Sequence, residues 1–337
     1  MPSDPVRTAS PRVTVLIAAF SRQDFLVRAV RSVVESTLPR AEFEILVVKN
    51  FLNPEIDAFL QAQSACVLNE PAAPIGAWMA KALTAARGTI VCLLNDDDEF
   101  EPEKLARVID LFRTEPNLTF VHDRRKLIDP SGASLPLRKR WNLAPAGPVR
   151  IVTDRDRVRM IADCYDARAH FYDSCMSFVK TIFDDRLDTL AQVECGEDAV
   201  VFFCAMAHPG TLLLDDRVLT RFRLHGKSTY RKDKATTSER FDRKRTVALV
   251  ERMTRGTPAE TAGRLYALGQ TFNQFLSGER NPPPPPREYW QLVVAVARHR
   301  VRSQAVVLFL AVLKRFAPGT VSRLFAHLRD QMDDAVA

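Results

Sequence analysis

Between Gly88 and Leu105 the chain reads GTIVCLLNDDDEFEPEKL, and few arrangements accept that order of residues. The run Ile90 to Leu94 is apolar and rich in Ile, Val and Leu, the composition of a strand buried on both faces. It stops at Asn95, Asp96, Asp97 and Asp98, four side chains that cannot stay in a core without partners. Pro102 follows, and a helical pattern runs from Glu103 to Phe112 with the proline at its first turn, where proline is tolerated. The stretch is therefore strand, acidic turn, helix. In open α/β sheets ligands gather at the carboxyl ends of strands, and clustered carboxylates there suit a hard divalent cation held against phosphate oxygens. For a bare triplet of aspartates, a solvated acidic turn is the competing reading.

The same grammar recurs upstream. Arg12 to Phe20 (RVTVLIAAF) is a second apolar run, ending in Ser21-Arg22-Gln23-Asp24 before a helix with Phe25, Leu26, Ala29, Val30, Val33 and Val34 on one face. Glu42 to Val48 forms a strand, Pro54 to Ala62 a helix, Ala65 to Leu68 a short strand and Gly76 to Ala86 a helix, with Gly88 as its C-cap. Strands alternating with helices of this length predict an α/β fold, a doubly wound and mostly parallel sheet flanked by helices. Beyond Arg113 the spacing predicts strands at Leu118 to His122, Ser174 to Lys180, Leu212 to Leu214 and Val218 to Leu224. Helices are expected at Val152 to Tyr165 and Glu197 to Ala207, the latter with acids in its first turn, where they suit the helix dipole. Pro136 to Pro148 reads as a loop, and His225 stands at the end of the last strand.

With 337 residues, 46% of them hydrophobic, the chain can bury one large α/β domain and an appendage. Its six cysteines lack C-x-x-C spacing and read as reduced core residues, not bridges or zinc ligands. Residues 1–11 are a polar lead-in unlike a secretory signal, and no apolar run approaches the roughly 18 residues of a spanning helix. A cytoplasmic protein is expected, either soluble or peripheral at the inner face of the membrane. The net charge of +7 fits a nucleotide, polyanion or anionic-membrane partner. After residue 230 the pattern turns helical, with helices expected at Ser238 to Thr254, Pro258 to Leu276, Arg287 to Phe316 and Thr320 to Met332, and a polyproline spacer at 282–286. Arg298, Arg300 and Arg302 interrupt an otherwise apolar helix. Either the helices pack as an all-α appendage, or residues 287–332 make a peripheral membrane contact.

Taken in order, VTVLIAAFSRQDFLVRAVRSVV, the pair Gly76 to Ala86 and RGTIVCLLNDDDEFEPEKL, Gly196-Glu197-Asp198, and RFRLHGKST resemble the family 2 glycosyltransferases of the GT-A fold over residues 12–230. The resemblance implies a metal-dependent, inverting transfer of a sugar from a nucleoside-diphosphate donor, a UDP-sugar in the first instance. It implies that Asn95, Asp96, Asp97 and Asp98 occupy the DXD motif. Asp97 would then be the ligand of Mn²⁺ or Mg²⁺ and Asn95 would replace the usual first acid; a register using Asp96 and Asp98 is the alternative. Asp198 would be the catalytic base with Glu197 its neighbour, and His225 would touch the metal or diphosphate, followed by Lys227 and Ser228 near the leaving group. Ala18, Ala19, Phe20 and Arg22 would wall the nucleoside, with Lys81 near its base. Lys49 and Asn50 depart from the family, in which an aspartate commonly reads the uracil edge. His122 and Asp123 lie where a sugar- or acceptor-contacting acid is often found.

No nucleic acid partner is implied, and the acceptor is a glycan, a lipid-linked glycan or a small molecule. Surface polysaccharide assembly is one plausible setting. Two other classes stay open: a nucleotide-sugar-binding subunit without turnover, motivated by Asn95 and Lys49-Asn50, and a nucleotidyltransferase, which lacks support from any Gly-rich loop near the first strand.

Overall fold

The computed structural model describes residues 10–20, 23–71, 73–136, 147–225, 243–278 and 282–324. The chain divides into two compact units: residues 1–126, 172–193 and 217–223 form the first, and 127–171, 194–216 and 224–337 the second.

In the first unit β1 (Val13–Ala19), β2 (Phe43–Lys49), β3 (Cys66–Asn69) and β4 (Ile90–Asn95) are parallel, in the order β3-β2-β1-β4. The helices α1 (Leu26–Val34), α2 (Pro54–Ala62) and α3 (Ile75–Ala85) are the crossovers that parallel pairing demands. One face of β1, formed by Val13, Val15, Ile17 and Ala19, packs on Leu26, Ala29, Val30 and Val33 of α1. Each of those larger side chains contributes about 1.5–3 kcal/mol of burial. Pro54 starts α2 in the position where its missing N–H costs nothing, and Asn53 Oδ1 caps it by accepting from the Glu55 and Ile56 amides.

The sheet continues as β9 (Met176–Val179), β6 (Leu118–Ile128), β10 (Thr211–Arg223) and β5 (Glu99–Phe100), with α4 (Lys104–Thr114) joining β5 to β6. This half is antiparallel where β9 meets β4 and β6, and where β5 meets β10. The expected strands at Leu212 to Leu214 and Val218 to Leu224 are one continuous strand, Thr211–Arg223. Gly88 does not cap α3, whose C-cap is Ala86. Its peptide N–H donates to Thr14 Oγ1 at 3.0 Å, and a Cβ there would lie 2.5–2.6 Å from the Val13–Thr14 backbone. Glycine is required by this close approach to β1.

In the second unit β8 (Val149–Ile151) pairs with Leu212–Leu214 of β10, and β7 (Ser134–Leu135) with the end of β6. The helix expected over Val152 to Tyr165 is broken into α5 (Asp154–Arg159) and α6 (Ile161–Asp166). Beyond α7 (Leu187–Leu190) of the first unit, α8 (Glu197–Ala207) is apolar all round and buried from Asp198 onward. On it packs α9 (Arg243–Thr254), and the chain goes on through α10 (Glu260–Ser277), α11 (Pro286–His299) and α12 (Arg302–Phe316), which pack on one another. The single helix expected over Arg287 to Phe316 is thus two. Arg300 takes a left-handed conformation with φ 56°, Val301 is fully buried, and Asp166 caps α12 by accepting from the Arg302 and Ser303 amides. No Gly or Pro marks that break in the sequence. Lys314 Nζ closes α10 by donating to the carbonyls of Phe275 and Leu276 at 2.7 and 3.0 Å.

Candidate active site

Parallel register sets Ala18 opposite Asn95 and Ala19 opposite Lys49, so the carboxyl ends of β1, β2 and β4 form one edge. That edge carries Ala18, Ala19 and Phe20, then Lys49 and Asn50, then the turn Asn95 to Asp98. Phe20 is 48% exposed and lies 5.4 Å from the ring of buried Trp78, whose Nε1 donates to the Pro71 carbonyl. The result is an aromatic wall with one face in solvent, able to stack on a planar ring. Trp78 was not singled out from sequence, although it lies one helical turn before Lys81.

The acidic turn is built by hydrogen bonds from two other segments of the first unit, around Ser174 and at Arg223. Asn95 Nδ2 donates to Asp173 Oδ1 at 2.9 Å, and the Asn95 amide donates to Ser174 Oγ at 3.0 Å. Ser174 Oγ donates in turn to Asp98 Oδ2 at 2.6 Å, and the Arg223 amide donates to Asp98 Oδ1 at 2.9 Å. Arg223 Nε donates to the Asp97 carbonyl, while its guanidinium pairs with Glu99 and covers the ring of Phe25. Asp96 and Asp98 are buried by this scaffold, and Asp97 is left partly exposed. Burial, and then the charge of Asp97, push the Asp98 carboxyl well above its usual range against the bonds from Ser174 and Arg223. Burial also raises Asp173, with Asn95 opposing the rise and the charge of Asp97 adding to it.

Buried carboxyls crowded by one another and held by neutral donors are in the electrostatic condition that a divalent cation relieves, and oxygen donors are what Mn²⁺ and Mg²⁺ prefer. The residues fit such an ion. Among the described residues no three His, Cys, Asp or Glu side chains form a metal cage. Asp173 had no signal in the sequence: it follows Tyr172, which sits at φ 69° without being glycine, and whose ring lies 3.4 Å from the Arg125 guanidinium.

Other candidates of the first unit have other engagements. Lys49 is fully buried, with Nζ 2.9 Å from Asp57 Oδ1 and donating to the Phe51 carbonyl at 2.6 Å, so its cation serves the β2–α2 connection. Asn50 is partly exposed, and Lys81 is exposed and paired with Glu70 at 2.5 Å. Asp123 is buried 2.6 Å from Lys104 Nζ and accepts from Thr220 Oγ1 at 2.7 Å.

In the second unit, Gly196 supplies the left-handed residue (φ 72°) that starts α8, and Glu197 and Asp198 occupy its first turn. Asp198 is 9% exposed, with Oδ1 accepting from the Ala199 amide at 2.8 Å. His225 is buried just after β10, where the Leu224 amide donates to the Ile128 carbonyl. Arg22, Lys227 and Ser228 lie outside the described residues.

Residues 14–179 match the model of the family described as Glycosyl transferase family 2. Among solved structures, the chain is similar to S. aureus TarS 1–349 in complex with UDP-GlcNAc, with TM-score 0.59 and 12% identity over 95% of this chain and 92% of that one. The same protein in complex with UDP gives TM-score 0.55 and 13% identity, over 96% and 89% of the two chains. Its structure without a named ligand gives 0.51 and 13%, over 91% and 92%. At such identities the likeness is one of fold. No curated protein matches the sequence.

Proposed function

Given that residues 14–179 belong to glycosyl transferase family 2, we propose that the protein moves a sugar from a nucleoside-diphosphate donor to an acceptor hydroxyl, inverting the anomeric carbon. The observation that carries this reading is the shared edge of β1 and β4. There the partly exposed carboxylate Asp97 is set by Asp98, Ser174 and Arg223, and the exposed ring of Phe20 stands on the same edge. A UDP-sugar is the favoured donor, because the TarS structures of like fold contain UDP-GlcNAc and UDP. Such a donor fits action in the cytoplasm.

In this reading Ala18, Ala19, Phe20 and Arg22 wall the nucleoside, Asn50 and Lys81 serve its base, and Asn95 and Asp96 serve the ribose and sugar. Asp97 would hold Mn²⁺ or Mg²⁺, Asp173 supplies beside Asn95 the carboxylate that Asn95 lacks, and His225 is assigned to the metal or diphosphate by the family resemblance alone. When bound, the cation offsets the charge developing on the departing diphosphate. Asp198 accepts the acceptor's proton as the acceptor oxygen bonds to the anomeric carbon. The bond from that carbon to the diphosphate breaks, and the nucleoside diphosphate leaves with the electron pair, a charge that the resemblance assigns Lys227 to balance. Glu197 adds negative charge beside the base. The acceptor is a glycan, a lipid-linked glycan or a small molecule.

A panel of nucleotide sugars with Mn²⁺, read by thermal shift and by release of nucleoside diphosphate, tests the reading, since a ligand of the folded state raises its stability. Asp198→Asn should lower turnover about 10²–10⁴-fold while donor affinity changes little; near wild-type turnover would remove Asp198 as the base. Donor binding with no hydrolysis or transfer from any donor would favour a binding subunit. Pyrophosphate released from a nucleoside triphosphate would favour a nucleotidyltransferase.

A further inference from the structure

Helices α11 and α12 each bury one apolar face in the second unit and leave another in solvent. On α11, Tyr289 and Leu292 are buried while Trp290 is 68% exposed, with Val294 exposed four residues on. On α12, Leu310 is buried while Val306, Phe309 and Phe316 are exposed, Phe316 at 84%. The α11 stripe is bracketed at helical spacing by Arg287 and Arg298, and the α12 stripe begins with Arg302, four residues before Val306; all three arginines are exposed.

Charge is as lopsided as polarity here. Residues 286–324 contain seven Lys and Arg and a single acid, Glu288, in a chain whose net charge is +7. Of the seven, only Lys314 turns inward, to the end of α10. Scattered exposed apolar residues need no explanation, but stripes edged by one sign of charge do.

We propose that α11 and α12 dock on the surface of an anionic lipid bilayer, lying in its interface. This goes beyond the transfer reaction and does not depend on it. A second copy of the chain is the poorer occupant, because a self-complementary contact would bring arginine-rich surfaces together without countercharge. Anionic headgroups supply that countercharge and the acyl boundary takes the apolar stripes. Tryptophan favours this depth, and arginine can bury its stem while its guanidinium stays at the phosphates. Among the described residues no helix is long and apolar enough to cross a membrane, so the contact is interfacial.

The test is co-sedimentation of the full chain with vesicles of phosphatidylglycerol and phosphatidylcholine, against vesicles of phosphatidylcholine alone. Binding is expected only to the anionic vesicles, weakening with salt, with a blue shift of tryptophan emission that Trp290→Phe removes. Arg298→Gln with Arg302→Gln should weaken binding about thirtyfold, and Phe309→Ser with Phe316→Ser should abolish it. Failure of the wild-type chain to bind anionic vesicles would overturn the proposal. So would a dimer in sedimentation velocity that Phe309→Ser with Phe316→Ser converts to monomer, since the stripes would then belong to a second copy.

Discussion

Two acidic centres of the first unit use the same chemistry to opposite ends. Asp123 is buried with a cation supplied by the chain: Lys104 Nζ lies 2.6 Å away and also donates to the Ser174 carbonyl and Thr220 Oγ1, while its ammonium faces the ring of Phe100. Asp98 and Asp173 are held instead by a hydroxyl, a peptide N–H and a side-chain amide, and both are pushed upward by burial and by Asp97. Ser174 links the two, its carbonyl serving Lys104 and its hydroxyl serving Asp98. A carboxylate closed by its own lysine is a structural element. Carboxylates held by neutral donors keep a field that an external cation can answer.

The sharpest way to break this contrast is to open the closed centre. Lys104→Met would leave Asp123 buried without its counter-ion, and the unfolding free energy in urea at pH 7 should fall by about 3–5 kcal/mol. Adding Asp123→Asn should recover much of that loss. A drop below about 1 kcal/mol would mean that Asp123 reaches water, and the two centres would not differ in kind. At the other centre, Asp97→Asn should leave urea stability almost unchanged and weaken Mn²⁺-supported donor binding up to about 100-fold, measured by calorimetry with and without the metal. An unchanged metal titration would move coordination to Asp96 and Asp98, the register that burial disfavours.

Asp173→Asn sharpens the comparison further. The new amide oxygen can still accept from Asn95 Nδ2, so the hydrogen bond survives and only the charge is lost. About a tenfold loss of Mn²⁺ affinity, with the melting temperature held or raised, would show that the charge at 173 serves the ion. No change in affinity would leave Asp173 as scaffolding for Asn95.

Much of this was legible from residue order, and the illegible part has physical causes. The runs at β1, β2 and β4 announce themselves because a parallel strand buried on both faces has few polar positions, and their polar ends mark the edge that carries Phe20, Asn50 and Asp97. The roles of single acids within the turn were not legible, because Asp96, Asp97 and Asp98 differ only in which bonds residues 76 to 126 positions away make to them. Lys104 sits in an amphipathic helix, where a lysine ordinarily reads as a surface charge. Asp173 follows a left-handed tyrosine and the helix break falls at a left-handed arginine, and neither carries the glycine that would signal such a backbone. Gly88 was readable as required but not for its reason, since close strand approach and helix capping leave the same letter.

Glu44 gives the smallest effect and the cleanest control, because it is a carboxylate closed by mixed donors away from the acidic turn. Burial tends to raise it, but Thr14 Oγ1 at 2.6 Å, the Arg87 amide at 2.6 Å and Arg87 Nε at 2.7 Å together outweigh burial and hold its carboxyl below the ordinary value of 4.5. A carboxyl lowered on folding contributes stability that is present above the unfolded value and lost as the pH falls through the folded one. The Arg87 side chain is 69% exposed, so solvent screens the pair and the contribution is at most about 1 kcal/mol. Urea midpoints at pH 6 and pH 3.5 should therefore lie closer together for Glu44→Gln than for the wild type, with the difference confined to the higher pH. If both proteins lose the same stability on acidification, Glu44 is not closed in this sense. The acid sensitivity would then have to come from carboxylates elsewhere, and the distinction drawn between chain-closed and ion-seeking acids would lose its control.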